Sequence, residues 1–359
     1  MAVIASALAQ RGYKVDFVLV KAEGGYLETL DSKVKVVDLK CSSTYTCLPA
    51  LSRYLRSVKP EVMISALDLT NLFALIARKL SRQPKGIFIR LDNTQSQIKR
   101  NPIKKALERM LVNAFYPLAD GIIAVSKAVA DDFVQYMHKQ PEHLTTIYNP
   151  ILNKGIYEKM KEPLAHAWFT DKQIPVILGI GRLSPQKNFE LLINAFAKVH
   201  EKRQVRLMIL GEGPEREPLE KLVKALGLAE DIALPGVVSN PYQYLTNADL
   251  FVLSSNYEGL PTVLVEAMAC GCPVVSTDCP SGPREILDGG RYGRLVPVGD
   301  IQSLADAMLR SLDEDKPATD PAWLKQFDEN LIVDQYVQLV GVSPKLPREY
   351  QNQEQVMVI

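Results

Sequence analysis

NYEGLPTVLVEAMACGCPVV, residues 256–275, is the stretch on which the reading of the fold turns. The apolar run DLFVLSS (249–255) leads into it as a strand. Pro261 suits the first turn of a helix, because its fixed φ fits and its missing N–H is not needed there. Gly271 and Pro273 then stop that helix before a second apolar run begins. The result is strand, loop, helix, strand, with Glu258 in the loop and Glu266 just over a turn inside the helix. The N–H groups of Gly259, Leu260, Thr262 and Val263, on either side of Pro261, fall at a helix start, a place suited to phosphate oxygens. Glu266 can offer two carboxylate oxygens to a vicinal diol such as a ribose.

Outward from this stretch, short β-branched runs alternate with amphipathic segments along most of the chain. KVDFVLV, EVMISAL, GIFIRL, GIIAVS and LTTIYN form a first set; PVILGIG, VRLMILG, IALPG, DLFVLSS, PVVSTD and GRLVPV form a second. Such alternation marks parallel sheets with crossover helices. The first set ends at Asn149-Pro150, so residues 1–150 are expected to form one Rossmann-like domain and 174–326 another, joined by a linker at 151–173. FDENLIVDQYVQLV suggests a last helix at 327–341, and the polar residues 342–359 are expected to form a disordered tail. Two facing doubly wound domains leave a cleft lined by strand carboxyl ends and helix N-termini, where nucleotides bind in such folds.

The composition closes off several classes of function. With 42 basic and 41 acidic side chains there is no global field to hold a polyanion, so nucleic acid is set aside. Five cysteines in 359 residues are too few for a disulfide framework and suit a reducing, cytoplasmic setting. Cys270 and Cys272 have no second pair of ligands at metal spacing, and no metal site is expected. MAVIASALAQRG lacks the basic start of a signal peptide and reads as a helix. Gly259 to Val275, the longest apolar stretch, carries Glu266 at its middle, so no membrane span is expected.

A second motif, VILGIGRLSPQKNFELLINAF (176–196), ends a strand at Gly179-Ile180-Gly181 and places Arg182 and Lys187 before a helix. A guanidinium that grips two phosphate oxygens and an ammonium that adds a point charge would neutralise a departing diphosphate. The dinucleotide fingerprint is only half matched, since Ser184 stands where its third glycine belongs.

These two motifs, about seventy residues apart and in this order, resemble those of the retaining glycosyltransferases of family 4, which have the GT-B architecture. The resemblance extends through GEGPEREPLEKLVKALGLAEDIALPGVVSNPYQYLTNADLFVLSS, CPSGPREILDGGRYGRLVPVGD, VSKAVADDF and IYNPI. It implies that Arg182 and Lys187 bind the donor diphosphate, that Glu266 binds the ribose, and that Glu258 with Gly259, Leu260 and Pro261 meets the transferred sugar and phosphate. It implies no metal and no cofactor beyond a nucleotide diphosphate sugar, expected to be UDP-linked. Where many relatives carry a histidine after the strand resembling GIFIRL, this chain has Asp92, and Asp92 and Asn93 are the candidate acceptor or sugar contacts. None of His138, His143, His166 and His200 falls in a motif.

The resemblance also implies a first strand and a glycine-rich loop ahead of a helix similar to AVIASALAQRG. Met1 stands where that helix begins, so the N-terminal sheet is expected to lack its central first strand and the domain to be impaired. The segment QIKRNPIKKALER (97–109) gathers Lys99, Arg100, Lys104, Lys105 and Arg109, a basic helix suited to an anionic membrane surface, which would make the protein peripheral at the inner face of the membrane. The expected function is retaining sugar transfer to a glycan or lipid-linked saccharide. The alternatives are a sugar-nucleotide epimerase on the same fold, for which a motif histidine is missing, and a non-catalytic sugar-nucleotide or glycan-binding subunit.

Overall fold

The computed structural model describes residues 1–23, 27, 29–96, 101–138, 140–170, 173–314, 319–341 and 355–359. It divides into two compact units, one of residues 1–150 with 329–359 and the other of residues 151–328.

The first unit takes six strands from the start of the chain: β1 (Lys14–Leu19), β2 (Lys35–Asp38), β3 (Val62–Ala66), β4 (Gly86–Leu91), β5 (Gly121–Ala124) and β6 (Leu144–Thr146). The second unit takes β7 (Val176–Ile180), β8 (Arg206–Leu210), β9 (Ile232–Gly236), β10 (Leu250–Leu253), β11 (Val274–Thr277) and β12 (Arg294–Val296). All pair in parallel. Parallel strands with helices on both faces bury both of their own faces, and β3, β5, β10 and β11 are buried at every residue. That double burial is why they read as unbroken apolar runs rather than as alternating patterns.

The sheet of the second unit has the order β12-β11-β10-β7-β8-β9. The chain starts at β7, winds outward through β8 to β9, then returns to β10 on the other side of β7 and winds outward again to β12. This is the doubly wound arrangement, and its direction of winding reverses between β7 and β10. Its core packs the helix Phe189–His200, with Leu192, Ile193, Phe196 and Val199 fully buried, against Ile177, Leu207, Leu250 and Val275 of the strands and Leu304 and Met308 of the helix Ile301–Asp313.

The first unit departs from the sequence reading at its centre. Its order is β2-β1-β13-β3-β4-β5-β6, where β13 is Gln355–Val358 near the far end of the chain. The strand lies parallel between β1 and β3, with Val356 opposite both Val15 and Val62. Val356, Met357 and Val358 have no exposed surface. Counted in sheet order, β13 sits where the missing first strand was expected to leave a gap, so strands β1 and β3 have no open edges towards each other. The tail of 342–359 is therefore corrected for residues 355–359, which form a central strand; residues 342–354 lie outside the described residues. Consecutive apolar residues flanked by hydrogen-bonding neighbours on both sides gain from burial what a solvated tail cannot.

Two boundaries also shift. The last helix, Glu329–Val340, belongs to the first unit, where Ile332, Val333 and Tyr336 pack with Ile4 and Leu8 of the helix Ala2–Gln10. Most of the stretch read as a linker is folded onto the second unit. Ile151 and Leu152 are buried and bond to the Phe327 carbonyl, and Asn240 Nδ2 donates to the Lys159 carbonyl at 2.9 Å and to Glu162 at 2.7 Å.

Candidate functional site

The loops that follow β7 and β10 leave the sheet at the point where the winding reverses, and they carry Arg182, Lys187 and Glu258. Side-chain and backbone hydrogen bonds stitch the two loops together. Asn256 N donates to the Gln186 carbonyl at 2.8 Å, Gln186 Nε2 to the Tyr257 carbonyl at 3.0 Å, and Asn256 Nδ2 to the Pro185 carbonyl at 2.8 Å. Ser254 Oγ donates to the Lys187 carbonyl at 2.8 Å, and Asn188 Nδ2 to Asn256 Oδ1 at 3.1 Å. The two motifs, far apart in sequence, form one polar surface.

At its centre Lys187 Nζ lies 2.6 Å from Glu258 Oε1, and Ser255 Oγ donates to the same oxygen at 2.6 Å. Glu258 is only 6 % exposed, so its charge depends on these partners. The loop closes where Gly181 passes over Gly211. A Cβ on Gly211 would sit 1.9 Å from the Gly181 carbonyl oxygen, so that position admits only glycine. Arg182 projects into solvent from this turn and forms no ion pair among the described residues.

The helix Thr262–Ala269 starts beside Glu258. Its N-cap position is Pro261, and no side chain caps it, so no side-chain oxygen takes up the free N–H groups of its first turn. Leu260 and Pro261 are buried and Thr262 half-buried. A third loop holds this turn in place, through Ser281 Oγ donating to the Gly259 carbonyl at 2.6 Å and the Glu258 N–H donating to the Pro280 carbonyl at 3.3 Å. One turn along, burial pushes the half-buried Glu266 carboxyl up to about 7. Its charge in turn helps to raise the Tyr242 phenol, after burial of that phenol.

The structure thus brings Gly181, Lys187, Glu258 and the 259–262 turn together. Sequence reasoning missed Gln186, Asn188, Ser255 and Asn256, which are neutral and carry no charge pattern to flag them. Asp92 and Asn93 belong to the first unit, at the carboxyl end of β4. Asp92 Oδ1 is 2.6 Å from Arg90 Nη2, which also donates to Asn149 Oδ1 at 2.6 Å. Asn93 is exposed. Asp92 therefore comes with a buried guanidinium attached, a pairing hidden in the apolar run GIFIRL. Among the described residues no three His, Cys, Asp or Glu side chains are grouped to hold a metal ion.

The family model described as Glycosyl transferases group 1 matches residues 161–323, and the model described as Glycosyltransferase Family 4 matches residues 1–151. A Campylobacter jejuni protein, N-acetylgalactosamine-N,N'-diacetylbacillosaminyl-diphospho-undecaprenol 4-alpha-N-acetylgalactosaminyltransferase, is 34% identical over 250 residues, 70% of this chain and 66% of that protein. The amylovoran biosynthesis glycosyltransferase AmsD of Erwinia amylovora is 27% identical over 312 residues, 86% of this chain and 84% of its own. The chain thus spans just under two thirds of the Campylobacter relative and more of the Erwinia one. Among solved structures, Anabaena Alr3699/HepE in complex with UDP and glucose superposes with a TM-score of 0.78 at 23% identity, covering 95% of this chain and 94% of that one. The same Anabaena protein has been solved with UDP-glucose.

Proposed function

Because the chain belongs to the glycosyltransferases, with the group 1 model over its second unit and the GT-B fold of two Rossmann-like domains, we propose that it is a retaining, metal-independent hexosyltransferase. Its donor is a nucleotide diphosphate sugar, UDP-linked, and its acceptor a glycan or lipid-linked saccharide. The observation that carries this reading is the Lys187–Glu258 pair beside an uncapped helix N-terminus, on loops that diverge at the switch point of the sheet. The Anabaena neighbour with UDP-glucose and the Campylobacter relative named for a diphospho-undecaprenol acceptor support the choice of donor and acceptor.

In this reading the diphosphate lies against the Thr262 helix start, with Arg182 as its bidentate clamp and Lys187 as its point charge. Glu258 holds the Lys187 ammonium in position before the donor arrives and, with Gly259, Leu260 and Pro261, meets the transferred sugar. Glu266 accepts from the ribose hydroxyls. The bond from the anomeric carbon to the leaving phosphate oxygen breaks as the acceptor oxygen bonds the same face, and the acceptor's proton passes to the departing phosphate. No side chain is required as a covalent nucleophile. Positive charge from Arg182, Lys187 and the helix dipole develops its full effect only as the diphosphate gains charge, which is the requirement for lowering a barrier. Asp92, held by Arg90, and Asn93 are the proposed acceptor or sugar contacts on the first unit. A thermal-shift panel of nucleotide sugars tests the donor assignment. A UDP-sugar is expected to raise the melting temperature of the native chain and to fail with Arg182→Ala; a panel with no stabilising nucleotide would overturn it.

A further inference from the structure

Between β2 and the helix Leu48–Val58 runs a loop with a cysteine at each end, CSSTYTC (41–47). It is described throughout, unlike the basic segment 97–109, whose Lys99 and Arg100 lie outside the described residues. Both ends of the loop are pinned. Lys40, in the left-handed region at φ 54, turns the chain back, and Cys41 N donates to the Val20 carbonyl at 2.9 Å just beyond β1. At the other end a single 3₁₀ turn, Thr44–Thr46, is fastened by Thr46 Oγ1 donating to the Ser43 carbonyl at 2.9 Å. Cys47 then starts the helix, its carbonyl accepting from Leu51 N at 2.9 Å.

Folded back in this way, the loop sets its two sulfurs side by side. Cys41 is half-buried, Cys47 is only 3 % exposed, and both are thiols. Burial, and after it the adjacent Cys41 sulfur, push the Cys47 thiol up to about 12. A thiol so buried is inert towards reagents in solution, because the thiolate is the reacting species and nothing outside can reach it. The Cys41 sulfur can reach it. One sulfur open to solvent and one closed, held together by backbone bonds on both flanks, is the arrangement of an attacking thiol with a resolving thiol.

We propose that Cys41 and Cys47 form a reversible disulfide that locks this loop. The oxidant is a low-molecular-weight disulfide such as glutathione disulfide. The Cys41 thiolate, its proton given to solvent, attacks one sulfur of the oxidant; the oxidant's S–S bond breaks, a mixed disulfide forms on Cys41, and one thiolate leaves. The Cys47 thiolate then attacks the Cys41 sulfur, the mixed disulfide breaks, and the second thiolate leaves. Two protein thiols are oxidised, and the oxidant is reduced to two small thiols that take up the two protons. The second exchange is the slower, since Cys47 holds its proton. Such a bond suits a reducing compartment, where cysteine pairs serve as transient redox sensors. The loop stands at the carboxyl ends of β1 and β2, on the same side of the sheet as Asp92 and Asn93 after β4. It carries Tyr45, which is 70 % exposed with its ring edge-on to Phe73 at 5.7 Å. Oxidation thus stiffens the acceptor side of the first unit, a consequence that rests on the proposed function, whereas the disulfide itself does not.

The test equilibrates the full chain with mixtures of reduced and oxidised glutathione, quenches by alkylation, unfolds the chain and cuts it with trypsin. Cleavage after Lys40 and Arg53 leaves both cysteines in one peptide, CSSTYTCLPALSR (41–53). In oxidising mixtures that peptide is expected to lose two hydrogens and take no alkyl label, and to take two labels again once dithiothreitol is added. Cys47→Ser should stop at the mixed disulfide, with glutathione held on Cys41, and Cys41→Ser should leave Cys47 unreacted. In the oxidised native chain the hydrogen-bonded amides of Cys41, Thr46 and Cys47 should exchange about tenfold more slowly, read by nuclear magnetic resonance. A glutathione adduct that Cys47 never displaces, two alkylated thiols in every mixture, or a disulfide that leaves these amides unchanged would overturn the proposal. The thermal response to a UDP-sugar should be equal in the oxidised and reduced chains, because the donor loops belong to the second unit. Its absence from both would instead count against the donor reading.

Discussion

Removing β13 is expected to loosen the first unit and leave the second intact. The perturbation is a chain ended at Gly341, with Met357→Asp as its milder counterpart. Val356, Met357 and Val358 have no exposed surface, and burial of each contributes about 1.5–3 kcal/mol, so the strand supplies roughly 4.5–9 kcal/mol of apolar burial. Its loss also strips hydrogen-bonding neighbours from β1 and β3, and frees Asp16, a fully buried carboxylate that accepts from Gln355 Nε2 and Tyr54 Oη. A whole domain is stable by only about 5–15 kcal/mol, so the loss takes a large share. Hydrogen exchange read by mass spectrometry separates the units. In the shortened chain, peptides covering residues 14–19 and 62–66 should exchange far faster, while 176–180 and 250–253 keep their protection. A single aspartate at position 357 should raise exchange in the same peptides. Unchanged protection of β1 and β3 in both variants would refute the reasoning.

Arg182→Ala should lower turnover by about 2–4 kcal/mol in barrier height with little change in melting temperature, because the side chain is exposed. Lys187→Ala should lower turnover as much but also cost about 3–5 kcal/mol of stability, since it leaves the buried Glu258 without its cation; adding Glu258→Gln should restore much of the melting temperature and none of the activity. Glu266 titrates higher folded, at about 7, than the 4.5 of an unhindered carboxyl, so the native chain should lose stability as pH rises from 4.5 to 7 and no more above it. Glu266→Gln removes that loss: it should melt above the native chain at pH 8 and level with it near pH 4, by differential scanning calorimetry, while binding donor more weakly. Turnover should survive a chelator; a requirement for added manganese or magnesium would contradict the site.

Most of the strands declare themselves in sequence for one physical reason: strands covered on both faces must be apolar throughout, and runs such as VILGI and LFVL leave no other reading. The edge strands β6 and β9 are poorer in buried residues, but β-branched threonines mark the one and Gly236 fences the other. β2 escapes because it is a four-residue edge strand, KVVD, with little buried surface. β13 escapes for a different reason. Its pairing partners lie more than 290 residues away in sequence, and local pattern carries no trace of a pairing that distant. In the site, Arg182, Lys187 and Glu258 are legible as charges in loops that follow strands, a placement with a chemical meaning in doubly wound folds. The direct contact of Lys187 with Glu258 is not, because each charge by itself reads as a contact to a ligand. Nor are Gln186, Ser255 and Asn256, whose hydrogen bonds depend on which loops the switch point sets side by side.

The most direct test of the central claim is the anomeric configuration of the product. The chain is incubated with an α-linked UDP-sugar and a saccharide acceptor in the presence of a chelator, and the new linkage is read by proton nuclear magnetic resonance. The account predicts an α-linked product, formed without added metal. A β-linked product, or the absence of any transfer from every nucleotide sugar offered, would contradict it.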